Sequence, residues 1–77
     1  MATTRIIFQK DIKKNDREIY RISLDELHGK EFINIRQWFK DPDDDILKPT
    51  QKGVYIPAER YDDIMLALEE LSGHITP

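Results

Sequence analysis

The chain has 77 residues, of which 39% are hydrophobic and 35% charged, and it carries a formal net charge of −3. That length allows one domain, residues 1–77, which buries only roughly 60% of its unfolded surface, so a staple or a partner is expected. Cysteine is absent, which excludes disulfides and thiolate metal sites and leaves His28 and His74 as the only imidazoles. No metal or other cofactor is expected.

The N-terminal stretch Met1 to Phe8 is briefly apolar, with no small-residue cleavage site behind it, and does not read as a signal peptide. No apolar run approaches the ~20 residues of a membrane helix. The expectation is an intracellular protein with no membrane partner, in which pairing with itself is the remaining source of stability. Charge is unevenly spread. Residues 1–36 carry eight Lys/Arg and six Asp/Glu, whereas residues 37–77 carry four and nine. Net charge therefore says little about the surface a ligand would meet.

Arg5–Gln9 reads as a short strand. The polar run from Lys10 to Asp16 ends in a turn pair, Asn15-Asp16, and residues 18–24 then alternate, with Tyr20, Ile22 and Leu24 on one face. Together they predict a hairpin whose tip carries Lys10, Lys13, Lys14 and Arg17. His28-Gly29 is a second turn, in which Gly29 supplies a positive φ at low cost. A third strand covers Glu31 to Phe39. Its alternation puts Phe32, Asn34, Arg36 and Trp38 on one face and Ile33, Ile35, Gln37 and Phe39 on the other. Two adjacent aromatics cannot both be core without a bulge.

Asp41 to Asp45 is an acidic loop. A calcium loop starting at Asp41 would need glycine at position 6 and glutamate at position 12. Those positions hold Ile46 and Lys52, so the pattern fails. A last short strand, Val54-Tyr55-Ile56, follows Gly53. Pro57 then suits a first helical turn, acids at Glu59, Asp62 and Asp63 favour the helix N-terminus, and Gly73 is a natural stop. Tyr61, Ile64, Met65, Leu68 and Leu71 make an apolar stripe, with Leu66 beside it. The stripe predicts a helix that covers its own sheet and touches a second chain.

Nothing in these residues assembles a catalytic constellation. Neither histidine has a Ser or Asp at triad-like spacing, phosphate and dinucleotide glycine motifs are absent, and no enzyme activity is expected. Binding fits better. Proteins that hold single strands combine aromatic stacking platforms with cations that track the phosphates, and Arg36, Trp38 and Phe39 fall within four residues. The alternative for either ring is core packing, and for each lysine an ordinary solvated position.

Three stretches, Arg21-Ile22-Ser23-Leu24 followed by His28-Gly29-Lys30, Ile33 to Phe39, and Leu47 to Pro57, resemble the transcriptional coactivator family called positive cofactor four. The resemblance runs from Ile19 to Leu71 and points to a bacterial or viral-type member, since the serine-rich extension of eukaryotic members is missing. It implies an α+β fold, a curved four-stranded antiparallel sheet closed by one C-terminal helix, as a homodimer. It implies sequence-nonspecific binding of single-stranded or melted DNA in transcription or another DNA transaction, with RNA open as a second ligand and the transcription machinery as a possible protein partner. The compartment would be cytoplasm or nucleoid in a prokaryote and nucleus in a eukaryote. It places base stacking at Phe39, shared here with Trp38, and phosphate contacts at Lys30, Arg36, Lys48 and Lys52. Lys14 and Arg17 join these from the hairpin tip. Leu27 stands where the family usually has an aromatic, and Gln51 where a basic residue is common. The alternative function is a protein-interaction module of the same fold that does not touch nucleic acid.

Overall fold

The computed structural model describes residues 4–76. Met1 to Thr3, the start of the apolar N-terminal stretch, and Pro77 lie outside the described residues. Four long strands are followed by a short 3-10 turn and a helix. The strands are β1 (Arg5–Lys13), β2 (Glu18–Leu27), β3 (Lys30–Lys40) and β4 (Leu47–Pro57). The 3-10 turn covers Ala58–Arg60, and the helix α1 covers Tyr61–Ser72. The sheet is an antiparallel meander in the order β1-β2-β3-β4. Connections this short allow no other pairing without a crossover.

Every strand is longer than the sequence predicts. β1 runs on to Lys13, so Lys10 and Lys13 stand on the strand and only Lys14 to Arg17 form the tip. β1 is an edge strand exposed along its whole length, so charged side chains there cost no burial and its periodicity is obscured. β4 begins at Leu47 and not at Val54. Pro49 is compatible with β4 because this too is an edge strand. Pro57 ends β4 with an extended ψ of 135° and precedes the 3-10 turn, outside the helix. Gly73 ends α1 in a right-handed conformation, with φ −68°, and no left-handed cap forms there.

Two turns set the register. His28 (φ 54°) and Gly29 (φ 76°) are both left-handed between the paired residues Leu27 and Lys30. That is the two-residue hairpin turn whose twist matches the flanking strands. From there β2 and β3 pair without interruption out to Glu18 opposite Phe39. Between β3 and β4 the register shifts. Arg36 faces Gly53 and Trp38 faces Pro49, so three β4 residues, Thr50 to Lys52, stand opposite Gln37. Thr50 closes this bulge. Its hydroxyl donates to the Gln37 carbonyl (2.8 Å) and accepts from the Lys52 amide (3.1 Å), while its carbonyl accepts from Arg36 Nη1 (2.8 Å). Gly53 is required beside it, because a Cβ there would sit 2.7 Å from the Ile35 carbonyl oxygen and 3.0 Å from Arg36 Cα.

Helix α1 does not cover its own sheet. None of its residues is buried, and Tyr61, Met65, Leu66, Leu68 and Leu71 are all exposed. Only the 3-10 turn keeps substantial contact with β3. The chain is a slab of 41 × 40 × 18 Å, and among the described residues no apolar side chain is fully buried. Only the three-residue 3-10 turn joins the helix to the end of the 11-residue β4, which leaves little chain with which to fold back over the sheet.

Candidate nucleic-acid interface

Strict alternation in β2 and β3 sorts the side chains onto two faces. One is apolar, built on Ile22, Leu24, Ile33, Ile35, Val54 and Ile56, with Phe8 and Ile12 added from β1. The other carries Phe32, Asn34, Arg36 and Trp38 from β3, Arg21, Ser23 and Asp25 from β2, and Tyr55 from β4. The bulge beside Arg36 does not change this for Trp38 and Phe39, because its extra residues lie in β4 and β3 stays in step with β2. Phe39 therefore lies on the apolar side and Trp38 on the polar side.

The eight expected site residues divide accordingly. Trp38 and Arg36 share the polar face. Phe39 lies opposite Lys48 and Glu18 on the other, where Lys52 borders a shallow cleft with Tyr20, Ile35 and Gln37. Lys14 reaches the same side, 3.4 Å from Gln37 Oε1 and 3.7 Å from Glu18 Oε1, with its ammonium 5.9 Å from the centre of the Tyr20 ring. Arg17 caps this end through the Lys40 carbonyl (2.9 Å). Seven of the eight thus gather where β2 starts, β3 ends and β4 starts. Lys30 does not. It lies nine residues back along β3, about 30 Å away at strand spacing, at the far end of the sheet.

Acidic partners modulate these cations. The Lys48 ammonium is 2.7 Å from Asp41 and 2.9 Å from Asp44. Hydrogen bonds to Asp41 and then Asp44 hold the Lys48 pKa above its ordinary value, and bonds from Lys48 hold both carboxylates below theirs. Asp45 lies 3.4 Å from Lys40 and 3.9 Å from Arg17. Glu18 is held below the usual carboxylate range first by a hydrogen bond from Asn15 and then by the charges of Lys14 and Lys52. Glu18 also accepts from the buried Gln37 amide, so Glu18 and Gln37 position Lys14.

On the polar face Arg21 plays a part that the sequence does not reveal. Asp11 of β1 takes its Nε at 2.7 Å and its Nη2 at 3.1 Å, and the guanidinium lies over the Trp38 indole, 4.4 Å from the ring centre. Three strands thereby fix one ring. Alternation within each strand sets Arg21 on the face opposite Ile22 and Leu24 and Trp38 on the face opposite Ile33 and Ile35, and the pairing of Arg21 with Arg36 brings the two onto one face. Further along, Phe32 and Tyr55 stack with centroids 4.9 Å apart and planes 13° from parallel. Asn34 Nδ2 donates to Asp25 Oδ2 at 3.4 Å, while Oδ1 of each residue is buried without a hydrogen-bond partner.

A long meander with a bulged fourth strand, ending in a helix and carrying cations and aromatics at one end, defines a class of small sheet-and-helix proteins. Residues 14–67 match the model of the family described as Transcriptional Coactivator p15 (PC4), and the chain belongs to that family. Its fold is similar to that of a PC4 homologue from Burkholderia pseudomallei, at 24% identity and a TM-score of 0.74, covering 91% of this chain and 90% of that one. It is also similar to the bacteriophage T5 homologue of the eukaryotic coactivator, at 21% identity and a TM-score of 0.68, covering 95% and 78%. That phage protein is described as implicated in recombination-dependent DNA replication. No curated protein sequence matches the chain. Among the described residues no helix is long and apolar enough to cross a membrane.

Proposed function

We propose that this protein binds single-stranded or melted DNA, without strong sequence preference, as a homodimer inside the cell, and does no catalysis. The observation that carries the binding is the end of the sheet that gathers Arg36 and Trp38 on one face and Phe39, Lys48, Lys52 and Lys14 on the other, with Arg17 at its edge. Cations neutralise phosphates, and a ring can stack only on a base that is not already stacked in a duplex. Family membership and the phage relative's description support a role in transcription or another DNA transaction.

Pairing of two chains is supported by the bare apolar face together with the bare helix stripe. Burial of apolar surface is the main favourable term in folding, and one chain alone leaves that surface in water. A second copy offers the matching apolar helix and sheet.

The test is a titration with a labelled oligonucleotide, as single strand and as matched duplex, at two salt concentrations. Tighter binding of the single strand, with a log–log salt slope that reflects several neutralised phosphates, supports the reading. Equal affinity for the two forms would reduce it to phosphate attraction, and no binding to either would favour the protein-interaction module.

A further inference from the structure

We propose that the stacked pair Phe32–Tyr55 is a second base-stacking platform, so that a single strand is held along the polar face of β3 from Trp38 to Lys30. The inference rests on the single-strand reading above and adds a subsite to it. The unbroken β2–β3 register puts Lys30, Phe32, Asn34, Arg36, Trp38 and Lys40 on one face. In that order they read cation, aromatic, amide, cation, aromatic, cation. Arg36 stands midway, and only one of its five donors is committed to the Thr50 carbonyl.

The pair is built to present a ring. Phe32 covers one face of Tyr55. β4 is the edge of the sheet, so among the described residues no strand lies beyond to cover the other, and Tyr55 is 42% exposed. Partial burial and then the charge of the nearby Asp25, which is 5% exposed, raise the Tyr55 pKa. The phenol therefore stays neutral beside a buried carboxylate. A ring ordered before the ligand arrives loses less entropy on binding. Both rings stand on the face opposite Ile33, Ile35, Val54 and Ile56, so the apolar surface does not need them.

Charge at this end defines what the platform contributes. Lys30 flanks it, but Glu31 and Glu59 line the adjoining cleft together with Phe32 and Pro57. Phosphate attraction is weak there, and the gain is stacking. The six-residue separation of Phe32 and Trp38 spans about 20 Å at strand spacing. A ligand must bridge that distance to use both platforms.

The experiment compares Tyr55→Leu with the unsubstituted chain, using labelled oligothymidylates of about 4 and about 16 nucleotides, the range of site sizes for small single-strand binders. Circular dichroism verifies the fold of each variant. The expected result is a loss of about ten-fold or more in affinity for the long oligonucleotide, with an unchanged salt slope and unchanged affinity for the short one. Tyr55→Trp should restore long-oligonucleotide binding, which a merely structural role for the hydroxyl would not allow. Wild-type affinity for the long oligonucleotide in Tyr55→Leu would overturn the platform. An equal loss for both lengths would also overturn it, because the site would then be single. Failure of the unsubstituted protein to bind either length overturns the single-strand reading itself, which separates the two failures.

Discussion

The two faces of the sheet solve opposite problems with the same backbone. The apolar face has aliphatic side chains at its centre, Ile22 and Leu24 of β2 and Ile33 and Ile35 of β3, and among the described residues nothing in its own chain buries them fully. The polar face carries Arg21, Arg36, Trp38, Phe32 and Tyr55, and at its centre two buried acceptors, Asp25 Oδ1 and Asn34 Oδ1, without partners. Unpaired buried acceptors cost stability, so folding alone does not explain that face, whereas the apolar one asks only for burial. Stability should be decided where the aliphatic side chains gather, and recognition on the polar face and at the end of the sheet where Lys14, Lys48 and Lys52 stand.

A charge in the middle of the apolar face tests that division most severely. Ile35→Lys should cost more than about 3 kcal/mol, as expected for burying an unpaired charge. In thermal melts and light scattering it should appear as loss of the cooperative transition and of the dimer. A folded monomer at micromolar concentration would break the comparison.

The adjacent aromatics sharpen it. Phe39→Ala should lower unfolding free energy by about 3 kcal/mol, the low end for truncating a buried aromatic. Trp38→Ala should instead weaken single-strand binding by about 1–3 kcal/mol with little change in salt slope. Reversal of the two phenotypes would assign stacking to Phe39, as the family resemblance implies. Because Trp38 is the only tryptophan, intrinsic fluorescence follows it directly.

At the bulge, Gly53→Ala should destabilise by about 1–3 kcal/mol, the usual range for overpacking, read as a lower denaturant midpoint with an unchanged m-value. A neutral substitution would mean that β4 is not held tightly against Arg36.

Lysines on the binding end should differ among themselves. Lys52→Gln should flatten the plot of log affinity against log salt by roughly 0.7, the single-strand value per phosphate. Lys48→Gln should flatten it less, because Asp41 and Asp44 already hold that ammonium. Equal slopes for the two variants would show that the acidic loop releases Lys48 on binding.

The smallest effect concerns Asp11. Its hydrogen bonds from Arg21, with the guanidinium charge, lower its pKa in the folded state. Stability from the pair is then fully present above the ordinary carboxylate pKa and is lost as pH falls through the lowered folded value. Since Asp11 is 40% exposed, Asp11→Asn should cost under about 1 kcal/mol at neutral pH. The variant should also lose part of the acid dependence of the melting temperature.

Element order, the His28-Gly29 turn, the face alternation of β3 and the helix stripe were all legible from the residues alone. Each depends on contacts between positions close in sequence, or on a period that one residue reports for its neighbours. The ends of β1 and β4 were not legible. Edge strands bury little, so Lys10 to Lys13 and Lys48 to Lys52 carry no alternation to read.

The site was legible in part. The parity of Trp38 and Phe39 could be read, and so could the crowding of cations near them. Three features depended on tertiary structure. The bulge that spares β3 arises from β4, which pairs from beyond the acidic loop. The Arg21–Trp38 and Phe32–Tyr55 stacks join residues from different strands, and their geometry follows from register and twist. The helix is left bare at the end of a short connection from β4, and its stripe alone does not say what covers it. Local sequence thus determined which side chains share a face, because alternation is a property of the strand itself. Only the assembled sheet decided which of them touch, and which surface was left uncovered.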